Sequence, residues 1–301
     1  MNIVVTGGTG FVGTQLTKQL TKEGHHVYIL TRSPDQHENT DSVTHVGWLK
    51  EEYHPEEHLP DVQAIVNLAG ESLNSGRWIE ERKRSILNSR IQATEGVIDL
   101  IDRLPEKPGV LVNASAVGYY GNSKTKTFTE ETTEPAHNFL ANVVREWEER
   151  ASKAAEKGVR TVYVRFGIIL GEEGALPKMI LPYKCMIGGN LGSGEQWMSW
   201  VHIDDVVGLI DFAIHHKEVE GPLNGTAPNP QRNKDFGKTL GDVLNRPHWI
   251  PAPAFALKTA LGEMSTLLLD GQSVIPKKAI AQGYHFKYPE LKPALQSILS
   301  K

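Results

Sequence analysis

Short apolar runs alternate with longer amphipathic stretches over the first two-thirds of the chain. Each run is bounded by turn or polar residues and predicts a buried strand: Ile3–Thr6, Val27–Thr31, Ala64–Leu68, Val110–Ala114 and Thr161–Phe166. The stretches between them predict helices over Phe11–Glu23, Ile79–Arg103 and Asn138–Lys157. Strands that alternate with helices favour an α/β fold, with a doubly wound parallel sheet covered by helices on both faces.

The pattern changes after Phe166. Pro177, Pro182 and the glycine-rich segment GGNLGSGEQW (188–197) interrupt the alternation, and a helix is predicted over Val206–His216. A last tract, 247–301, holds several prolines around two apolar helices. We therefore predict a main domain at 1–230 with substrate-side insertions, followed by a small, mostly helical C-terminal cap at 247–301 beside the mouth of the pocket.

Charge and cysteine content narrow the choice of partners. The formal net charge of the 301 residues is -4, which argues against general affinity for nucleic acid or for an anionic membrane surface. Cys185 is the single cysteine, so an intrachain disulfide and a cysteine-based metal site are excluded. No apolar run approaches the roughly 18 residues that a bilayer span needs. We expect a cytoplasmic protein without metal, nucleic-acid or membrane partners.

A glycine-rich loop, TGGTGFVG (6–13), closes the first predicted strand and opens the first helix. Gly8, Gly10 and Gly13 satisfy G-x-G-x-x-G, and Gly7 also fits an extended form of the motif. Glycine allows a tight turn and close approach of a pyrophosphate, and the helix N-terminus offers free N–H groups to the phosphates. The alternative is a turn without a ligand. The position directly after a strand favours a dinucleotide site.

The end of the second strand indicates which dinucleotide binds. An NAD site usually has an acidic residue there for the ribose 2′-hydroxyl, whereas this chain has Thr31-Arg32-Ser33. The planar guanidinium of arginine suits a 2′-phosphate, so NADP is the predicted cofactor. An ordinary surface arginine is the alternative. After the next strand, Ala69 and Gly70 in NLAG (67–70) would permit close approach of the adenosine half, or would serve only strand–helix packing.

With these residues in place, the chain resembles the extended short-chain dehydrogenase/reductase superfamily, in its NAD(P)-dependent epimerase/dehydratase branch. VRFGIILG (164–171) and SWVHIDDVV (199–207) carry that resemblance over residues 1 to about 230. More narrowly, the chain is similar to the epimerase family that includes the short-chain dehydrogenase/reductase family 39U proteins. The segments that match are NLAGESL, SRIQATE, NASAVGYYG, LPYKCMIGGNLGSGEQWMSWVHIDD and LLLDGQSVIPKKAIAQGYHFKYPEL.

The resemblance implies a Rossmann-type fold and a set of NADP contacts. The residues that it assigns to the cofactor are Thr9, Gly10, Phe11, Val12, Arg32, Leu68, Ala69, Ser85, Arg90 and Ile169. Extended members of the superfamily often dimerise through the two helices that correspond here to 79–103 and 138–157. A homodimer is therefore one expectation, and an unidentified small-molecule substrate is another.

The resemblance places Ser115 where the superfamily keeps the hydroxyl that hydrogen-bonds the reacting oxygen. The superfamily then needs Tyr-x-x-x-Lys about 25 residues later, in which the tyrosine transfers a proton and the lysine lowers its pKa. The matching helix carries Phe139 and Val143 at these two positions. Phenylalanine cannot transfer a proton and valine carries no charge, so the usual acid–base pair is missing.

Four other side chains are candidates to replace the missing pair. Tyr119 or Tyr120 could substitute for the tyrosine, and Glu71 or His202 could act as a base near the nicotinamide. For each there is a structural alternative: a packing tyrosine, a helix-capping glutamate, a buried histidine with its bonds satisfied. We expect both tyrosines to line an apolar, aromatic pocket together with three tryptophans, Trp78, Trp197 and Trp200.

Two functions are consistent with these features. The first is an NADP-dependent oxidoreductase or epimerase that acts on an unknown small molecule with non-standard acid–base groups. The second is a catalytically weak or inactive NADP-binding regulatory protein, related to cell division or to redox sensing. The missing tyrosine and lysine favour regulation, whereas the intact glycine loop and Ser115 favour catalysis. The enzyme is the preferred hypothesis.

Overall fold

The computed structural model describes residues 1–300 and contains one central sheet of seven parallel strands. In chain order these strands are β1 Asn2–Thr6, β2 His26–Thr31, β3 Val43–Gly47, β4 Ala64–Asn67, β5 Val110–Ala116, β6 Arg160–Phe166 and β7 Gly221–Gly225. Their order in space is β7-β6-β5-β4-β1-β2-β3. The chain runs outward from β1 through β2 and β3, then continues on the other side with β4. This reversal opens a crevice at the carboxyl ends of β1 and β4, where ligands of such sheets bind.

Helices cover both faces of the sheet. In chain order they are α1 Phe11–Lys22, α2 Glu80–Arg103, α3 Phe139–Glu156, α4 Leu176–Lys184, α5 Ile203–His215, α6 Asn233–Leu244, α7 Ala254–Leu261, α8 Thr266–Leu269, α9 Lys277–Ala281 and α10 Leu291–Leu299. Side chains alternate along a strand, so Val5 packs with Leu16 of α1 and Ile210 of α5, while Val4 packs with Ile101 of α2 on the opposite face. The predicted Rossmann-type doubly wound architecture is confirmed.

The two outermost strands, β3 and β7, escaped prediction. β3 reads VTHVG and β7 reads GPLNG, so neither has the apolar run of a buried strand. Edge strands tolerate polar residues, glycine and proline because one side lacks a neighbouring strand. Most other boundaries shift by only one or two residues. The helix predicted from Val206 begins at Ile203, because the side chain of His202 caps it.

The carboxyl-terminal tract is packed onto the main domain through buried polar and apolar contacts. The Asp205 carboxylate accepts hydrogen bonds from the backbone N–H groups of Lys287 and Tyr288, at 2.7 and 2.9 Å. α10 packs on α6, and the short strand Ser273–Val274 pairs with Thr127–Phe128. The tract holds four helices, α7 to α10, rather than the two expected. Lys301, the last residue of the predicted cap, lies outside the described residues.

Two other short strand pairs lie beyond the carboxyl ends of β6 and β7. Ile168–Leu170 runs parallel to Trp200–His202, and Trp197–Met198 runs antiparallel to Gln231–Arg232. These two pairs fix the chain that follows β6 at the carboxyl edge of the central sheet. Within residues 1–300, no helix combines the length and the hydrophobicity that crossing a membrane requires.

Candidate functional site

The loop between β1 and α1 has space only for glycine at two of its positions. Gly7 has a φ of +67°, and a Cβ on it would lie 2.9 Å from the carbonyl carbon of Leu68. A Cβ on Gly13 would lie 2.2 Å from the Gly7 carbonyl oxygen. The N–H of Gly10 donates to that same oxygen, at 3.0 Å, and α1 begins at Phe11 without a side-chain cap. The tight loop and the uncapped helix N-terminus together form an anion-binding cradle.

A free cation lies at the end of β2, beside this cradle. The Arg32 side chain is exposed and makes no hydrogen bond or ion pair with any residue from 1 to 300. The preceding Thr31 is half-buried, and its Oγ1 accepts from the N–H of Ser33 at 3.3 Å. The strand end therefore offers a guanidinium that no carboxylate of the described chain neutralises.

The turn after β4 lies against the glycine loop. The N–H groups of Leu68 and Ala69 both donate to Thr6 Oγ1, at 3.2 Å each, and Thr6 donates onward to Asn67 Oδ1 at 2.6 Å. These bonds join the carboxyl ends of β1 and β4. A Cβ on Gly70 would lie 3.1 Å from Arg90 Cγ, so the turn also packs closely on α2. The structure thus brings the predicted cofactor residues of β1, α1, β2 and β4 to one edge of the sheet.

Arg90 and its neighbours form the α2 side of this crevice. The Arg90 guanidinium donates to the carbonyl oxygens of Glu71 and Ile86, both at 3.0 Å, and lies 5.0 Å from the Trp147 ring centroid. Burial lowers the pKa of Arg90 to about 10, so it remains a cation at neutral pH. The Glu71 carboxylate accepts from Ser85 Oγ at 2.9 Å and pairs with Arg82. Glu71 is therefore engaged at the surface, outside the cavity wall described next.

A cavity of about 500 Å³ opens at the carboxyl ends of β5 and β6. Its walls come from the start of α3, the segments that follow β5 and β6, the stretch before α2, α2 itself at Lys83 and Arg90, and the carboxyl-terminal tract. The residues that line the cavity include Leu73, Trp78, Ala116, Val117, Phe139, Val143, Trp147, Gly167, Ile168, Trp197, Leu267 and Gln272. Residues 263–272 contribute directly, whereas α10 packs away from the cavity on α6. Ile169, predicted to touch the cofactor, is half-buried beside Ile168.

Ser115 does not reach this cavity. It is 3% exposed, and its Oγ donates to Glu148 Oε1 of α3 at 2.6 Å. Ala116, the next residue of β5, lines the cavity instead. Successive side chains of a strand point to opposite faces, so a serine one position from the cavity-facing residue is directed into the core. The structure gives Ser115 a structural hydrogen bond in place of the substrate contact that the resemblance implied.

Tyr119 and Tyr120 also lie outside the cavity wall, contrary to the expected pocket. The Tyr120 hydroxyl donates to Asn224 Oδ1 at 2.7 Å and accepts from Arg165 at 3.0 Å, and burial raises its pKa. The Tyr119 hydroxyl donates to the Thr133 carbonyl oxygen. Both are packing tyrosines. Of the three tryptophans, Trp78 and Trp197 line the cavity, while Trp200 is fully buried in a separate core cluster.

The sequence did not predict a buried ion pair that joins α3 to β6. Arg165 of β6 donates to both carboxylate oxygens of Glu148, at 2.8 and 2.7 Å, and the two side chains are 4% and 12% exposed. Its guanidinium carbon lies 3.5 Å from the Tyr119 ring centroid. An arginine within an apolar strand rarely stays buried without a partner, so Arg165 in VYVRF was the available signal.

His202 serves as a helix cap. Its Nδ1 accepts the N–H of Asp204 at 3.0 Å, its Nε2 faces Ser297 Oγ at 3.1 Å, and its ring lies 4.0 Å from that of Tyr288. It is absent from the cavity wall. Burial lowers the pKa of His202 to about 4, which keeps the ring neutral at physiological pH. The structure thus agrees with the buried, satisfied histidine and offers no base at this position.

We expect His202 to make stability depend on pH. Its pKa falls from 6.5 in the unfolded chain to about 4 in the folded one, so the unfolded chain takes up the proton first as the pH drops. The free energy of unfolding therefore decreases as the pH falls through the range between about 6.5 and 4. In His202→Asn, which keeps a capping acceptor, the loss of unfolding free energy from pH 6.5 to pH 5 should be smaller by roughly 1–2 kcal/mol. Denaturant titrations at both pH values measure this, and equal losses in the two proteins would contradict it.

Comparison with known proteins places most of the chain in one family. The model of the NAD dependent epimerase/dehydratase family matches residues 3–224, and a domain of unknown function, DUF1731, matches residues 252–298. Epimerase family protein YfhF of Bacillus subtilis is 49% identical over 300 residues, covering 100% of this chain and 98% of the relative. Epimerase family protein SERP0438 of Staphylococcus epidermidis is 42% identical over 297 residues, covering 98% of each.

Solved structures resemble the whole chain. The crystal structure of human epimerase family protein SDR39U1 with NADPH is 33% identical, with a TM-score of 0.87 and 100% coverage of both chains. The UDP-glucose 4-epimerase of Thermotoga maritima is 17% identical with a TM-score of 0.79, covering 100% of this chain and 98% of that one. At that identity the second likeness shows the fold alone.

Proposed function

The chain belongs to the NAD dependent epimerase/dehydratase family, and from that membership we propose that it is an NADP-dependent oxidoreductase or epimerase that acts on a small molecule. The observation that carries this proposal is the free Arg32 guanidinium beside the glycine cradle. A cation at the end of β2 suits the 2′-phosphate that distinguishes NADP from NAD. The human relative that was crystallised with NADPH supports the same choice.

The residues present fit this cofactor. Gly7 and Gly13 leave the space that a pyrophosphate needs, and the N-terminus of α1 offers unpaired N–H groups to it. Arg32 would hold the 2′-phosphate, and the turn at Leu68–Gly70 would hold the adenosine half. Bound NADP would supply or accept a hydride.

The cavity binds and orients the substrate beside this site. Its wall at Phe139 and Val143 is apolar, and no tyrosine, histidine or cysteine among residues 1–300 lines it. The chain therefore lacks the usual proton-transferring tyrosine in the cavity, and the ionisable side chains that line it are Lys83, Arg90, Glu263 and Asp270.

The lack of a tyrosine in the cavity wall favours a second candidate, an NADP-binding regulatory protein. Two assays distinguish the candidates: oxidation of NADPH when a small ketone is added, and inversion of an added sugar nucleotide without net consumption of cofactor. The first reaction supports an oxidoreductase, the second supports an epimerase, and cofactor binding with neither reaction supports the regulatory protein.

Arg32→Ala is expected to weaken NADPH binding by about 10- to 150-fold, because a charge-assisted contact to phosphate contributes about 1.5–3 kcal/mol. NADH binding should change little, since NADH lacks the 2′-phosphate. Titration of both cofactors against both proteins measures the effect. Arg84→Ala, which removes an exposed arginine of α2, is the control for net charge and should leave both affinities unchanged. Equal affinities of the native protein for NADPH and NADH would refute the assignment.

A further inference from the structure

Exposed apolar side chains cluster where the end of α4 meets the segment that leads into α7. This apolar patch holds six of the nine large apolar side chains that are exposed among residues 1–300: Leu181, Met186, Ile187, Trp249, Ile250 and Phe255. Trp249 and Phe255 are 66% and 74% exposed. α7 gives no cover, because none of its residues is buried. Exposed apolar side chains that cluster in this way are typical of an interaction site.

Hydrogen bonds hold the two segments of the patch side by side. The backbone N–H groups of Trp249 and Ile250 both donate to the Gly188 carbonyl oxygen, at 2.8 and 3.0 Å. The indole Nε1–H of Trp249 donates to the Met186 carbonyl oxygen at 2.8 Å. The chain itself therefore fixes this ring in its exposed position and satisfies its only polar group.

The backbone of residues 249–253 has no unpaired N–H group. Two of these five residues are prolines, which have none, and the N–H groups of the first two donate to Gly188. The remaining one, that of Ala252, donates to the Asn190 carbonyl oxygen at 2.8 Å. Such a segment can enter an apolar medium that offers no acceptors, because no donor is left unpaired there.

The formal charges around the patch are positive over two stretches of the chain. Asp and Glu make up 36 of the 301 residues, yet neither 174–194 nor 243–262, the stretches that carry the patch, contains one. Lys184, Arg246 and Lys258 in these stretches are exposed and form no ion pair with any residue from 1 to 300. The patch therefore favours a negatively charged partner.

A second copy of this chain does not suit the patch. A two-fold contact would place the patch against itself and bring the same cations of both copies together. The acidic residues that flank the second stretch are Asp242 and Glu263, and Glu263 is already paired with Lys83. Neither stretch supplies a carboxylate to offset the repulsion.

We propose that the apolar patch docks on the surface of a bilayer that contains anionic phospholipids. The exposed aromatic rings enter the boundary between headgroups and acyl chains, and the three unpaired cations contact the headgroups. Aromatic rings beside lysine and arginine are the usual composition of a surface that lies in this boundary. The net charge of -4, on which the expectation of no membrane partner rested, describes the whole chain and not this patch. The inference does not depend on the proposed cofactor or reaction.

Sedimentation of the full chain with lipid vesicles tests the proposal. One set of vesicles is phosphatidylcholine alone, and the other is equal parts of phosphatidylcholine and phosphatidylglycerol. We expect binding to the anionic vesicles to be at least about 10-fold tighter than to the neutral ones and to weaken as salt is added. No binding to anionic vesicles at millimolar lipid, or equal binding to both sets, overturns the proposal.

A first pair of variants tests the apolar contact. Ile250→Ala combined with Phe255→Ala should weaken binding to the anionic vesicles by at least about 10-fold, because two exposed apolar side chains are removed. Ile280→Ala is the matched control: it removes an isoleucine of α9 that is exposed to a similar degree but lies outside the patch, and binding should not change. Binding by the double variant that equals that of the native protein overturns the proposal.

A second pair tests the charges. Lys184→Gln combined with Lys258→Gln should weaken binding to the anionic vesicles about 30-fold. Lys18→Gln combined with Lys22→Gln makes the same change of net charge at exposed positions of α1 and should have little effect. Equal losses in the two double variants would show a response to net charge alone and overturn the assignment. If the apolar variant does not fold, this pair decides.

Two further outcomes would assign the patch to another occupant. Sedimentation velocity measures whether the native protein dimerises, and the same vesicle assay with added polyglutamate measures whether an acidic polypeptide binds. A dimer that the apolar variant abolishes, without vesicle binding, identifies a second copy as the occupant. Binding to polyglutamate without vesicle binding identifies an acidic protein. Either result overturns the proposal.

Discussion

Replacing Glu148 by leucine is expected to destabilise the folded protein by about 3–5 kcal/mol, because it leaves the buried Arg165 guanidinium without its carboxylate. The same change removes the acceptor of the Ser115 hydroxyl. The cost arises because a buried cation that has lost its counter-ion cannot regain its hydration without unfolding. Urea titration monitored by circular dichroism measures the loss of unfolding free energy.

Two controls define the origin of this effect. Glu131→Gln breaks the exposed pair between Glu131 and Lys277 and should cost less than about 1 kcal/mol. Glu148→Leu combined with Arg165→Met removes both charges and should recover most of the loss, since apolar replacement of a whole buried pair is often neutral. A double variant no more stable than Glu148→Leu would show that packing around Glu148, rather than the uncompensated charge, causes the loss.

Gly13→Ala should abolish measurable NADPH binding and lower stability by about 1–3 kcal/mol. The new Cβ would lie 2.2 Å from the Gly7 carbonyl oxygen and 2.6 Å from Gly8 Cα, and both are backbone atoms that cannot move without opening the loop. An opened loop no longer holds its N–H groups around a pyrophosphate. Calorimetric titration with NADPH, together with thermal unfolding of the apoprotein, measures the two effects.

Gly109→Ala is the matched control for this variant. A Cβ on Gly109 would meet only the Gln63 carbonyl oxygen, at 3.5 Å, which is an ordinary contact. Binding and stability should stay close to those of the native protein. Normal NADPH affinity in Gly13→Ala would mean that the cofactor does not use this loop.

The central strands and the long helices could be predicted because their signals are local. An apolar run such as Val110–Ala114 is buried on both faces of the sheet, so its composition alone identifies it. The edge strands β3 and β7 carry no such run, because each has a neighbouring strand on one side only. The start of α5 at Ile203 depended on a side-chain cap from His202, and the sequence pattern did not reveal which residue would provide it.

The residues of the candidate site were likewise predicted where their signal is local and missed where it is not. The glycine loop and Arg32 are predicted together because each lies at a strand end, and parallel strands bring those ends to one edge of the sheet. Ser115 was assigned to the substrate by resemblance, and a strand's sequence does not show which of its faces meets a cavity. A shift of one residue exchanges Ser115 for Ala116.

The sequence by itself determined the parallel sheet, the dinucleotide loop, the cation at Arg32 and the absence of the tyrosine–lysine pair. The first three follow from residue type and local spacing, and the fourth from the resemblance that aligns Phe139 and Val143 with the pair. Only the tertiary structure decided that Glu148 neutralises Arg165, that Tyr119 and Tyr120 are core residues, and that the buried Nε1 of Trp147 has no partner among residues 1–300. Those facts depend on which side chains from distant segments meet, and on whether a buried polar atom finds a partner. Both depend on the packing of the whole chain rather than on any one stretch of it.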